Sequence, residues 1–450
     1  MNEEYFYGRV SEEVREKLAY LPTICDLLEM TKREFADWDA IGDDNAKYTY
    51  AELYSRVAKR RNFLNSLGVS KGGKIAVMSR NSLDSMELFL AITSAGYTMI
   101  MLPAQLDEQK LAGCVMKFSI EALFISDEFK PLAEGLNTKV LHMSETSDAE
   151  APMGEGIQKE TLAAIYFTGG TTGAPKGVML THGALMRGAH NATFRDNRVF
   201  GHRYIAFLPF SHIYGSVAGF LTGLHTGSYI YTNADMKRAV GMIPVVKPTC
   251  LVLVPGLAEI ILGLVAAKGE GFIAGLEEML VGAAPVPPRI MKAYQKLGVK
   301  VLCGYGLTEG GNLSSANYDS DKYPNSMGKI YPGQEYKFVN KELWIKGDNV
   351  MLGYYNDPVA TAEVMEDGWL KTGDLVEEDE NGFITIVGRI KNLIILGNGE
   401  NVSPEEIEEV FYKEEFEKLG AEVHVATADG SVGVKGFVTD VVKTIPDYTY

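Results

Sequence analysis

The sequence predicts an α/β protein of more than one packed unit, with a small all-β unit toward its C-terminal end. Three observations carry this. Residues 82–102 read as a helix, a turn and a buried strand in succession. Short apolar strands recur at 122–125 and 162–167, alternating with helical patterns, which argues for parallel strands covered by helices. From 335 to 389 the pattern changes to short strands divided by turns.

Taken in order, residues 82–95 have helical periodicity, Gly96 supplies the turn, and 97–102 is β-like and apolar up to Pro103. Residues 144–160 are polar, carry Gly154 and Gly156, and read as a surface loop. The strand at 162–167 runs straight into a Gly/Thr loop. Alternation continues over 199–333. The apolar stretch at 243–267 is interrupted by Lys247, Pro248, Pro255 and Glu259, so it does not read as a membrane span. Strands are expected at 342–346, 367–373 and 383–387. A helix is expected over 401–420: Ser403 as N-cap, Pro404 in the first turn and Glu406 completing a capping box, with Gly420 as the stop. Its apolar stripe is Ile407, Val410, Phe411, Phe416 and Leu419.

At 450 residues the chain exceeds one simple core. A net charge of −16 disfavours nonspecific association with nucleic acid or anionic lipid. It does not exclude a nucleotide, because local donors decide that. The four cysteines, Cys25, Cys114, Cys250 and Cys303, are dispersed and form no CxxC pair, which points to a reducing, cytoplasmic compartment. The acidic, polar start does not read as a signal peptide.

The most informative string is Tyr166-Phe-Thr-Gly-Gly-Thr-Thr-Gly-Ala-Pro-Lys-Gly177. A polyphosphate needs many donors at short range, and backbone approaches closely only where side chains are small. Gly169, Gly170, Gly173 and Gly177, the hydroxyls of Thr168, Thr171 and Thr172, and Lys176 meet both needs. It is not the P-loop pattern, which has Gly before its Lys and Ser or Thr after it; here Pro175 precedes Lys176 and Gly177 follows.

This string resembles the phosphate loop of the adenylate-forming superfamily, the AMP-forming acyl-CoA synthetases and their relatives. Further matches follow in that family's order: Pro209-Phe-Ser-His-Ile-Tyr-Gly215, Gly282-Ala-Ala-Pro285, Gly304-Tyr-Gly-Leu-Thr-Glu309, Lys371-Thr-Gly-Asp374 and Gly388-Arg-Ile-Lys391. The resemblance implies an N-terminal domain, residues 1–388, of two layered α/β subdomains and a small β-barrel, then a hinge region at 389–410. It implies the substrates ATP and a carboxylic acid, Mg²⁺ as cofactor, and coenzyme A as acceptor, with an acyl carrier protein as an alternative acceptor. Fatty acid metabolism is the implied setting.

It also implies roles. Lys176 and the loop threonines hold the β- and γ-phosphates, and Thr308 the α-phosphate. Glu309, with Thr168, holds Mg²⁺, a hard ion that prefers oxygen ligands and phosphate partners. Gly282, Ala283, Ala284 and Pro285 line the adenine, and Tyr305, between Gly304 and Gly306, stacks on it. Asp374 and Arg389 take the ribose, and His212 lies beside the acid. A lone histidine is more often a core partner, and Tyr305 could equally be packing.

Residues 249–261, Thr-Cys-Leu-Val-Leu-Val-Pro-Gly-Leu-Ala-Glu-Ile-Ile, fall where the family lines its acid tunnel. They contain no base to pair with a second substrate carboxylate, which favours a hydrophobic acid, fatty or aryl. The alternative is a plain core strand. The run 395–404 resembles a branch that includes long-chain acyl-CoA synthetases.

After Arg389 only 61 residues follow, and the family's C-terminal lysine in a Gly-Lys motif has no match among them. Residues 411–450 instead resemble part of the electron-transfer subunit of dihydroorotate dehydrogenase; the alternative is a truncated native C-terminal domain. Two functions stay open at this point: a full acid–thiol ligase, and a nucleotide- and acid-binding protein with little turnover.

Overall fold

The computed structural model describes residues 2–168, 176–194 and 198–390 in full, and beyond them the backbone of residues 394–395, 401–402, 426–427 and 434–435. The expected helix over 401–420 lies outside the described residues, apart from Asn401–Val402, which form a two-residue strand paired with Ile394–Ile395. The resemblance at 411–450 also lies outside them, apart from the short parallel pair Ala426–Thr427 and Val434–Lys435.

Seven strands form the first sheet. Lys74–Met78 lies at its heart, between Thr98–Leu102 and Ile120–Ile125 and parallel to both. Leu162–Thr168 runs parallel beside Thr98–Leu102, and Lys176–Thr181 returns antiparallel to it. Thr98–Leu102 is buried at every position, the signature of a strand covered on both faces. The helix Leu83–Ser94 starts where the sequence places it, with Ser82 capping Ser85 N–H and Ser85 returning the bond. It too is buried almost all round, so its apolar residues serve a core rather than a membrane. Among the described residues no helix is long and apolar enough to cross one.

The expected surface loop at 144–160 is held down by buried arginines as well as by apolar contacts of Ala151 and Met153. Buried Arg60 donates to the carbonyl oxygens of Met143 and Glu145 and pairs with Glu87 at 3.0 Å and with Asp84. Arg61 donates to Ala151 O from two nitrogens.

A second sheet, of five strands, runs Cys250–Leu253, Glu278–Gly282 and Lys300–Leu307 in parallel, then Asn312–Asn317 and Lys329–Ile330 antiparallel. Pro255, which interrupts the apolar run in sequence, opens the helix Pro255–Lys268; a missing N–H costs nothing in a first turn.

The C-terminal β unit is an antiparallel sheet around the long strand Trp369–Glu378, which pairs with Glu342–Gly347, Met365–Glu366 and Ile384–Arg389. It is not wholly β. Asp357 caps a helix at Pro358–Val364, and the preceding Gly353–Tyr354 leaves the unit to pair with Lys176–Thr181 of the first sheet. This excursion stitches the β unit to the hairpin that carries the Gly/Thr loop.

Candidate active site

In the hairpin Leu162–Thr168 and Lys176–Thr181, Thr168 sits directly opposite Lys176. The expected phosphate-loop residues Gly169, Gly170, Thr171, Thr172 and Gly173 lie outside the described residues. The Lys176 ammonium lies 4.9 Å from the centre of the Tyr354 ring. The Tyr354 hydroxyl donates to Glu309 Oε1 at 2.7 Å. Glu309 stands on the short turn Thr308–Gly310 that follows Lys300–Leu307. Burial, and then the charge of Glu309, push the Tyr354 hydroxyl well above the ordinary tyrosine range, so it stays a proton donor. Lys176, Thr308 and Glu309 are thus brought to one place through a residue that the sequence did not single out.

At the other end of the site, Gly282 and Gly304 face each other at the carboxyl ends of adjacent parallel strands, where open α/β sheets bind ligands. The approach is close: a Cβ on Gly282 would lie 2.8 Å from Gly304 O, and one on Gly306 would lie 1.7 Å from Asn312 O. Ala283 has φ +66°, a left-handed conformation that costs a residue with a Cβ about 1–2 kcal/mol. Ala283, Ala284 and Pro285 are exposed, so this strained turn presents small groups and backbone to whatever lies above the strand ends.

Three side chains converge on the buried Asp374. Its Oδ2 accepts from the Tyr305 hydroxyl at 2.5 Å, and its Oδ1 from Arg389 Nε at 2.5 Å. Thr372 Oγ1 accepts the Asp374 N–H at 3.1 Å and is itself anchored on Leu343 O. Asp374 and Arg389 are direct partners across their antiparallel strands. Burial, then the Asp374 charge and hydrogen bond, raise the Tyr305 hydroxyl well above its usual range, so it too remains a donor. For Arg389 burial works against the charge and Asp374 outweighs it, with Tyr305 and Glu309 adding their fields. One guanidinium therefore senses both carboxylates of the site.

His212 is exposed. Desolvation by the surrounding protein holds its ring below the ordinary histidine value. It precedes a π-helix, Tyr214–Leu221, a winding often found at functional positions. Gly215 is required here, since a Cβ would lie 2.4 Å from Pro209 O. The π-helix is tied to both sheets: Tyr214 donates to Leu280 O at 3.0 Å, and Ser216 meets the buried Tyr166 hydroxyl at 2.7 Å. Of the apolar run 249–261, Cys250–Leu253 is a fully buried strand beside Glu278–Gly282, so these four residues serve the core.

Among the described residues no three ligating side chains cluster as a metal site. A Mg²⁺ bound to a nucleotide needs none, since it takes one or two carboxylates plus phosphate oxygens and water. Glu309, with Oε1 engaged by Tyr354, fits that requirement through its second oxygen. Besides Tyr354, the role of Thr372 was not assigned from the sequence, although it lies in the Lys371-Thr-Gly-Asp374 motif; Tyr354 carries neither a charge nor a motif that would single it out.

Glycine-lined strand ends, a strained turn and a buried carboxylate define an α/β protein of the nucleotide-binding kind. The sequence profile of the AMP-binding enzyme family matches residues 28–355, and the chain belongs to that family. It is 29% identical over 397 residues to a 2-succinylbenzoate–CoA ligase of Geobacillus sp. (strain WCH70), covering 84% of this chain and 79% of the relative. It is 26% identical over 457 residues to a long-chain-fatty-acid–CoA ligase of Bacillus subtilis (strain 168), covering 87% and 81%. Its fold superposes with a TM-score of 0.77 on a Mycobacterium tuberculosis fatty acyl CoA synthetase, at 22% identity, covering 86% and 82%. The o-succinylbenzoate coenzyme A synthetase of Bacillus subtilis, solved in complex with AMP, gives 0.76 at 24% identity, covering 85% and 82%.

Proposed function

We propose that the protein activates a hydrophobic carboxylic acid, fatty or aryl, with ATP and passes the acyl group to a thiol. In the first half-reaction a carboxylate oxygen attacks the α-phosphorus of ATP, forming an acyl–AMP bond while pyrophosphate leaves. In the second, a thiolate attacks the acyl carbonyl and AMP departs. Coenzyme A is the acceptor, with the thiol of an acyl carrier protein as the alternative. The relative that is a long-chain-fatty-acid–CoA ligase supports this substrate class, and the 2-succinylbenzoate–CoA ligase supports the reaction type. Four free cysteines, three of them buried, support a reducing, cytoplasmic setting.

The observation that carries the reading is the meeting of Lys176 with Glu309 through Tyr354, next to the Tyr305–Asp374–Arg389 group. Both reactants are anions, so the attack requires neutralised charge and fixed donors. Lys176 and the hydroxyls of Thr168, Thr171 and Thr172 hold the β- and γ-phosphates, with Gly169, Gly170 and Gly173 opening the backbone to them. Thr308 holds the α-phosphate. Mg²⁺, when bound at Glu309 and Thr168, offsets phosphate charge. Asp374 and Arg389 take the ribose, residues 282–285 and Tyr305 the adenine, and Gly304 and Gly306 leave room for the base. His212 flanks the acid.

The test is acid-dependent pyrophosphate–ATP exchange with a panel of fatty and aryl acids. Exchange by the parent protein, lost in Lys176→Ala and Asp374→Ala, supports the assignment; exchange retained by both variants refutes it. ATP binding with no exchange for any acid would instead identify a nucleotide-binding protein with little turnover.

A further inference from the structure

We propose that Tyr354 is a positioning residue that keeps the two opposite charges of the site, Lys176 and Glu309, apart and ready; the proposal rests on the nucleotide-site reading above. A lysine and a glutamate converging on one cleft would ordinarily pair and cancel, leaving less charge for a phosphate and a metal. Among the described residues no ion pair joins them. The Tyr354 side chain stands between them instead, its ring facing the Lys176 ammonium at 4.9 Å and its hydroxyl on Glu309 Oε1 at 2.7 Å. The ring offers the cation an attraction worth about 0.5–2 kcal/mol, weak enough to yield to a phosphate. The hydroxyl engages one carboxylate oxygen and leaves the other for a divalent cation.

Tyr354 is itself fixed from both sides. Met351 N–H donates to Glu309 O at 2.9 Å, Leu352 N–H to Met179 O at 2.9 Å, and Tyr355 N–H to Gly177 O at 2.7 Å. The 351–355 segment thus alternates its bonds between the turn bearing Glu309 and the hairpin bearing Lys176. Tyr354 N–H is taken by Thr361 Oγ1 at 2.9 Å, and a Cβ on Gly353, at φ +137°, would lie 2.8 Å from Thr361 Cγ2. The backbone on either side of the ring therefore has little freedom, and the hydroxyl arrives at Glu309 preorganised.

The experiment is calorimetric titration of ATP, without acid, in the presence and absence of Mg²⁺, for the parent protein, Tyr354→Phe and Tyr354→Leu. The parent is expected to gain ATP affinity from Mg²⁺. Tyr354→Phe keeps the ring and loses the hydroxyl: its Mg²⁺-linked gain is expected to shrink about tenfold, the worth of one hydrogen bond to a charged group, with metal-free ATP affinity unchanged. Tyr354→Leu, with the ring gone as well, is expected to weaken metal-free ATP binding too. An unchanged Mg²⁺-linked gain in Tyr354→Phe overturns the proposal, as does equal loss with and without metal, which a merely structural role would give. Because the readout needs no turnover, a parent that binds Mg²⁺–ATP but shows no exchange refutes the ligase reading while this comparison still decides the role of Tyr354.

Discussion

The hydroxyl of Tyr305 rests 2.5 Å from Oδ2 of Asp374, although the two residues are 69 positions apart in the chain. Arg389 occupies Oδ1. An ionised carboxylate has about four acceptor sites, so Asp374 retains roughly two for the hydroxyls of a ribose. Its burial makes each bond it accepts costly to lose.

Tyr305→Phe is therefore expected to weaken AMP binding by about tenfold, because it leaves a buried carboxylate one partner short. The melting temperature should fall as well, because the folded protein then holds a buried carboxylate with one partner fewer, a loss of about 1.5–3 kcal/mol. Isothermal titration with AMP, paired with a thermal melt, checks both parts.

Gly306→Ala tests the close approach at the strand end. With a Cβ 1.7 Å from Asn312 O, the backbone must shift, at about 1–3 kcal/mol. Tyr305 is its chain neighbour, so nucleotide affinity should fall with stability. Denaturant unfolding and AMP titration on the same sample measure the two losses.

Acid should destabilise the protein through its buried histidines. Burial lowers His182 to about 4, His190 to about 3 and His225 to about 4. The unfolded chain binds these protons near pH 6.5, so between that value and the folded-state values it holds more protons than the native state. Their contribution to stability is complete above about pH 6.5 and is lost as pH falls through about 4 and then 3. Urea unfolding from pH 8 down to pH 4 should show this decline, and His190→Phe should flatten its slope.

Local features of the fold were legible because local physics decides them. The Ser82 cap marks the helix start, and the apolar run ending at Leu102 marks a strand buried on both faces. Ordered motifs singled out Lys176, Glu309 and Asp374, of which the structure joins Lys176 and Glu309 through Tyr354. What they touch was not legible. Tyr354 reaches Glu309 from 45 positions away, by way of a strand that leaves its own sheet to pair with the Lys176 strand. No periodicity encodes that excursion. The apolar run 249–261 shows the converse ambiguity: pocket wall and core strand share a composition, and only the pairing of Cys250–Leu253 with Glu278–Gly282 distinguishes them.

The central claim is that the Lys176 hairpin and the Asp374 pocket serve one nucleotide. ATP and AMP titrations of Lys176→Ala and Asp374→Ala test it most directly. Asp374→Ala should weaken both ligands by about tenfold or more, because both carry the ribose; Lys176→Ala should weaken ATP alone, because AMP lacks the β- and γ-phosphates. If Asp374→Ala leaves ATP affinity intact while Lys176→Ala reduces it, the two groups do not share a ligand and the account is wrong.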